Sequence, residues 1–130
     1  MDEVSDELNN SPHKGKTGLR RIWNAWFYSI AGFKAAYHHE DAFRQESLLA
    51  LILVPAACFM PVSGIGKALM IAVVLLVLIV ELLNSAVEAT VDRISLENHQ
   101  LAKRAKDIGS AAVFLSLVNV AVVWALVLFG

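Results

Sequence analysis

The chain has 130 residues, 57% of them hydrophobic, with a mean hydropathy of +0.57 and a formal net charge of −1. That length suits one domain, and the apolar share is above that of an ordinary small soluble domain. The near-neutral charge excludes bulk attraction to nucleic acid, and the lone Cys58 excludes an internal disulfide or a zinc-type cysteine spacing.

Met1 to Lys16 is rich in Asp, Glu, Asn, Ser and Lys and offers almost nothing to bury. Residues 1–16 therefore read as a disordered tail without the apolar core of a secretory signal, and 17–130 as a single membrane-embedded domain.

From Leu19 the pattern changes. Leu19, Ile22, Trp23, Trp26, Ile30, Phe33 and Tyr37 recur at helical spacing, with Arg20, Arg21 and Asn24 off that stripe. An apolar stripe carrying Trp and Tyr, flanked by basic residues, suits an amphipathic helix lying in the membrane interface. A soluble helix packed on a core is the competing reading.

Three apolar runs follow. Leu48 to Pro61 is short for a span, since about 20 residues are needed to cross about 30 Å of hydrocarbon. Its helix is expected to begin near Glu40 and to carry Arg44, Gln45 and Glu46 at its charged end, with Pro55 as a site of kinking. Cys58 within it reads as a buried, inert thiol. Pro61, Ser63, Gly64 and Gly66 mark a tight turn. Ala68 to Leu83 is almost wholly aliphatic, and its pattern continues to Arg93 without a breaker. A helix from Lys67 to Arg93 is about 40 Å long and must leave the bilayer on one side. Ser95 to Lys106 reads as a polar connection, and Ile108 to Phe129 as the third span. Gly109, Ser110, Ala111 and Ala112 there form a small-residue patch that permits close helix contact, and Asn119 suits an interhelical hydrogen bond.

The expected fold is therefore an all-α membrane protein with three transmembrane helices, roughly 42–60, 67–92 and 108–129, plus an N-terminal interfacial helix. Basic residues set its orientation. Lys14, Lys16, Arg20, Arg21, Lys34 and Arg44 precede the first span, and Arg93, Lys103, Arg104 and Lys106 lie between the second and third. The N-terminus and the second loop are thus expected in the cytoplasm.

The chemistry gathers on that side. On an α-helix, Glu81, Asn84, Ser85, Glu88 and Asp92 fall within about 100° of one another. Glu81 follows thirteen uninterrupted apolar residues. An unpaired carboxylate at that depth costs several kcal/mol, so it demands a cation, a hydrogen bond or a proton of its own, and such a group suits a general base or acid. Glu40 lies at the same level and is placed to share a divalent ion with Glu88; magnesium commonly takes one or two carboxylates plus substrate phosphates. Lys103, Arg104 and Lys106, beside Asp107 and His99, can neutralise those phosphates, and phosphoryl transfer is mostly positioning and charge stabilisation. The pattern points to an ATP-dependent lipid kinase. Two other classes compete: a proton or ion transporter built around Glu81, and a structural subunit in which Glu81 pairs across an interface. Against transport, the outer halves of the spans lack an ionisable relay. Gly64, Gly66 and Lys67 lack the spacing of a phosphate loop.

Three blocks resemble the bacterial integral-membrane diacylglycerol kinase family: Glu40-Asp41-Ala42-Phe43-Arg44-Gln45-Glu46; Glu81-Leu82-Leu83-Asn84-Ser85-Ala86-Val87-Glu88 with Val91-Asp92-Arg93; and Lys103 to Ala112. The resemblance runs in order from about Gly18 to the C-terminus. It implies a homotrimer in the bacterial inner membrane, with active sites where subunits meet, acting on diacylglycerol and ATP. It implies Glu81 as the base and Glu40 and Glu88 as holders of Mg2+, with Asn84 orienting its neighbours. Arg21, Tyr28, Glu97, Asn98, His99, Lys106 and Asp107, with Glu40 and Glu88, would contact ATP. Arg21, Ser29, Lys34, Tyr37, Arg44, Glu46, Glu81 and Ser110 would handle the lipid. Related Gram-positive enzymes phosphorylate undecaprenol, which stands as the alternative acceptor.

Overall fold

The computed structural model describes residues 18–94 and 99–130, and the side chain of His99 is outside that description. The tail at residues 1–16 and the segment Ser95 to Asn98 therefore lie beyond it. Among the described residues, four helices follow in chain order: α1, Leu19–His39; α2, Asp41–Phe59; α3, Gly64–Ile94; and α4, His99–Phe129. They fall into two units, residues 1–35 and residues 36–130.

The first unit holds most of α1. Gly18 enters the helix at φ +67, a left-handed conformation that glycine adopts without steric cost. Trp23 and Phe27, one turn apart, meet edge to face at 5.3 Å. Leu19, Ile22, Trp23, Trp26 and Phe33 are all exposed, so the apolar stripe is laid out along the helix as its spacing predicts.

The second unit is built around α3. Glu40, extended at φ −119 and ψ 109, breaks the chain between the last turn of α1 and the start of α2. Arg44 spans the break: its guanidinium donates to Tyr37 O at 2.8 Å and His38 O at 2.9 Å, and pairs with Asp41. Those carbonyls end a helix and have no partner within it, so a cation there is well placed. Helix α2 runs through Pro55 to Phe59 without ending, although proline cannot donate to the preceding turn. Ser63 then caps α3, its Oγ accepting from Gly66 N at 3.0 Å. This cap starts α3 three residues before the expected Lys67 and turns Gly64 and Gly66 into helix rather than turn.

Helix α3 packs against both α2 and α4, which do not pack closely on each other. Phe43, Ala50 and Ala57 are buried at seven-residue intervals on α2. On α3 the buried stripe is Gly66, Met70, Val73, Val74, Val77 and Glu81. Four contacts tie α3 to the antiparallel α4. A Cβ at Gly66 would lie 3.1 Å from Val127 Cγ1, so glycine allows the close approach. Trp124 Nε1 donates to Met70 O at 3.1 Å. Gly109 backs onto Asn84, and Lys106 pairs with Asp92 at 2.5 Å. Between α2 and α4, over α3, lies a groove of about 210 Å³ lined by Glu46 and apolar side chains including Leu49, Val77 and Leu117.

Helices α2, α3 and α4 are each long and apolar enough to cross a membrane. Leu51, Ile52, Ile65, Phe114, Leu115 and Leu126 stand exposed on them. Apolar surface of that extent is not left facing water. The chain is an all-α membrane protein. Two expectations need correcting. Cys58 is exposed, not buried, because its neighbour Ala57 takes the inward position on α2. The polar stretch from His99 to Lys106 is helix rather than connection, since it holds no breaker and Lys103 pairs with Asp107 one turn on at 2.6 Å.

Candidate active site

Glu81 lies on the inward stripe of α3, continuing Met70, Val73 and Val77, and is only 4% exposed. The partner its burial demands comes from α2. Glu46 stands one turn after the buried Phe43 and one before the buried Ala50, so it shares their inward face. Its carboxyl lies within reach of that of Glu81, and no donor group faces its buried Oε2. A hydrogen bond between two carboxyl groups needs a proton on one of them. Glu40 and Glu88 are close enough for their charges to act on Glu81. Four carboxyl groups thus lie at one end of the three-helix unit, from Glu40 and the first turns of α2 and from the second half of α3.

The second half of α3 adds Asn84, whose Nδ2 donates to Glu88 Oε1 at 3.4 Å. Across the α3–α4 contact, Lys106 Nζ reaches Asp92 Oδ1 at 2.5 Å and also feels the charge of Glu88. Lys103 and Asp107 pair on the exposed side of α4, where Ser110 is exposed as well.

The remaining expected residues are distributed as follows. Arg21, Tyr28, Ser29 and Lys34 belong to the first unit, along α1, where Ser29 Oγ donates to Ala25 O at 2.8 Å. Tyr37 and Arg44 meet at the joint between α1 and α2, through the Tyr37 carbonyl. Glu97 and Asn98 lie outside the described residues, and His99 is placed only as the first residue of α4. Reading by spacing alone missed that Glu46 partners Glu81, although its place between Phe43 and Ala50 was a usable signal. It also missed that Lys106 turns to Asp92 rather than to its neighbour Asp107.

Among the described residues, no three metal-ligating side chains close on one point, and none of Glu40, Glu46, Glu81 and Glu88 is in an ion pair. Glu40 and Glu88 are oxygen donors of the kind magnesium takes, one or two carboxylates alongside phosphate oxygens. An apolar groove opens beside Glu46, and Lys106 stands at the edge of the carboxyl cluster.

Comparison with known proteins gives the family. The sequence model for prokaryotic diacylglycerol kinase matches residues 27–128. The diacylglycerol kinase of Pseudomonas aeruginosa is 59% identical over 123 residues, covering 95% of this chain and 100% of that protein. The diacylglycerol kinase of Haemophilus influenzae is 51% identical over 113 residues, 87% of this chain and 96% of its own length. That of Escherichia coli K12 is 48% identical over 114 residues, 88% and 93% of the two chains. With identity at this level along nearly the whole length, the chain belongs to the prokaryotic diacylglycerol kinase family.

Proposed function

We propose that this protein transfers the γ-phosphoryl group of ATP to the free hydroxyl of 1,2-diacylglycerol, giving phosphatidate and ADP, at the cytoplasmic face of the bacterial inner membrane. The observation that carries the reading is the buried Glu81, 4% exposed, inside a cluster with Glu46, Glu40 and Glu88 at the end of an otherwise apolar bundle.

Glu81 accepts the proton of the lipid hydroxyl as its oxygen attacks the γ-phosphorus; the bond from that phosphorus to the β,γ-bridging oxygen breaks, and ADP departs. Its burial beside the apolar groove lets it meet a hydroxyl carried by a lipid rather than one dissolved in water. Glu46 steadies the Glu81 carboxyl and lines the groove. Glu40 and Glu88 would hold Mg2+, which supplies neutralising charge to the phosphates when bound. Lys106, beside Glu88, adds a cation on the phosphate side, with Asp107, Arg21, Tyr28 and the Glu97-Asn98-His99 segment as further nucleotide contacts. Ser29, Lys34, Tyr37, Arg44 and Ser110 are assigned to the lipid. A homotrimer is the proposed assembly, supported by the apolar side chains of α4 that stay exposed within the single chain, among them Phe114, Leu115, Val122 and Leu126. The N-terminus is placed in the cytoplasm by the basic residues before α2.

The test is phosphatidate formation by purified protein in lipid, with diacylglycerol and undecaprenol offered in parallel. Diacylglycerol is expected to be the better acceptor. Full activity in Glu81→Gln would sink the base assignment, and ion flux across sealed vesicles without ATP turnover would replace the kinase with a transporter.

A further inference from the structure

Asn84 sits one turn from both Glu81 and Glu88 on α3, and its amide is held in an unusual way. Its Nδ2 donates to Glu88 Oε1, while its Oδ1 is buried with no hydrogen-bond partner. A buried amide oxygen without a partner is costly, so something other than its own hydrogen bonding must keep it in place. What faces it is Gly109 on α4. A Cβ at Gly109 would overlap Asn84 Oδ1 outright and come to 3.1 Å from Asn84 Cγ. Gly109 has no positive φ, so its backbone conformation does not call for glycine. The missing side chain is what matters: it leaves a slot in α4 that the Asn84 amide oxygen occupies.

We propose that Gly109 is a positioning residue for phosphoryl transfer: its slot seats the Asn84 amide, and the seated amide fixes the Glu88 carboxylate that would hold the cation. This rests on the reading of Glu88 as a magnesium ligand. The slot fixes which way the amide points. With the oxygen lodged against α4, the Nδ2 faces along α3 toward Glu88. A methyl group at Gly109 evicts the oxygen, swings the amide and leaves Glu88 without its donor. Partners of metal ligands of this kind typically change metal affinity or activity about 10- to 100-fold when removed.

The experiment uses the full chain in mixed micelles with Mn2+ as the probe, its binding read by electron paramagnetic resonance in the presence of a non-hydrolysable ATP analogue. The metal dependence of phosphatidate formation and the diacylglycerol KM are measured alongside. Gly109→Ala is expected to weaken Mn2+ binding about tenfold or more, with the diacylglycerol KM unchanged. Asn84→Ala is expected to weaken it equally, and the double variant to be no weaker than either single one, because the Cβ acts only through the amide. Wild-type Mn2+ binding in a folded Gly109→Ala, or losses that multiply in the double variant, overturns the proposal. If Gly109→Ala does not fold, adding Asn84→Ala must restore folding by removing the overlap, at the Mn2+ affinity of Asn84→Ala alone; failure to do so also overturns it. Glu88→Gln separates this proposal from its premise. If Glu88→Gln binds Mn2+ as wild type, the metal assignment falls and takes the proposal with it; if only Gly109→Ala does, the proposal alone falls.

Discussion

Lys106 Nζ stands 2.5 Å from Asp92 Oδ1, joining α4 to α3 at the edge of the carboxyl cluster. The pair is partly exposed, so solvent and salt screen it and it is a weak contributor to stability. Its interest lies in what Lys106 does when a polyphosphate arrives: Asp92 and the phosphates compete for one ammonium. Lys106→Met is expected to raise the ATP KM about tenfold, the scale of one hydrogen bond to a charged group. Asp92→Asn, by freeing Lys106, is expected to leave the ATP KM unchanged or lower it, within about fivefold. Steady-state kinetics in ATP measures both. Loss of turnover in Asp92→Asn with an unchanged KM would make Asp92 a catalytic group instead.

Glu46 and Glu81 allow a second prediction. Glu81→Gln removes the proton acceptor and is expected to lower turnover about 10²- to 10⁴-fold. Glu46→Gln keeps a donor facing Glu81 and is expected to retain most activity. Glu46→Leu leaves Glu81 buried without its hydrogen bond and is expected to cost about 1–3 kcal/mol of stability as well as rate. Phosphatidate formation and thermal inactivation in the same micelles separate the three. Equal loss in Glu46→Gln and Glu81→Gln would mean that Glu46 carries the proton itself.

Arg44 can be tested for two roles at once. It donates to the last carbonyls of α1 and pairs with Asp41, and the family likeness implies work on the lipid. Arg44→Ala is expected to raise amide exchange in the last turn of α1 and around Glu40, with a stability cost of about 1–3 kcal/mol. Arg44→Lys keeps the charge but loses the planar fork that reaches two carbonyls and a carboxylate together, so it is expected to restore little. A diacylglycerol KM that rises while amide exchange stays at the wild-type level would assign Arg44 to the lipid alone.

Much of this was legible in the chain before its structure. The helical period set Glu81, Asn84, Glu88 and Asp92 on one face, and the aliphatic run before Glu81 showed that the acid is deep. The sequence could not show which helix the acid meets. The polar and apolar residues of α2 do not separate onto two faces, so its inward face is set by packing at Phe43, Ala50 and Ala57 rather than by amphipathic contrast. That rotation is what delivers Glu46. Adjacency does not give the partners either: Lys106 and Asp107 are neighbours in sequence but 100° apart on a helix, so one turns to α3 while the other pairs with Lys103. Glycine was read as a breaker at Gly66, whereas between closely packed helices it serves as a contact surface.

The far end of the unit supplies a control for all of these variants. Trp124 Nε1 donates to Met70 O, a carbonyl already engaged in its own helix and belonging to a residue with no exposed surface. This bond joins α3 and α4 several turns from the carboxyl cluster, so it bears on stability and not on chemistry. Trp124→Phe keeps most of the apolar contact and removes the donor, and is expected to cost about 0.5–1.5 kcal/mol. Trp124→Ala also removes the ring; because the ring is only partly buried, the cost is expected to stay below the roughly 3–5 kcal/mol of a fully buried aromatic. Both should speed thermal inactivation while leaving the KM values for ATP and diacylglycerol unchanged. A change in either KM from Trp124→Phe would mean that the α3–α4 contact transmits strain along its length to Asn84 and Gly109, and that the two ends of the bundle cannot be treated as independent.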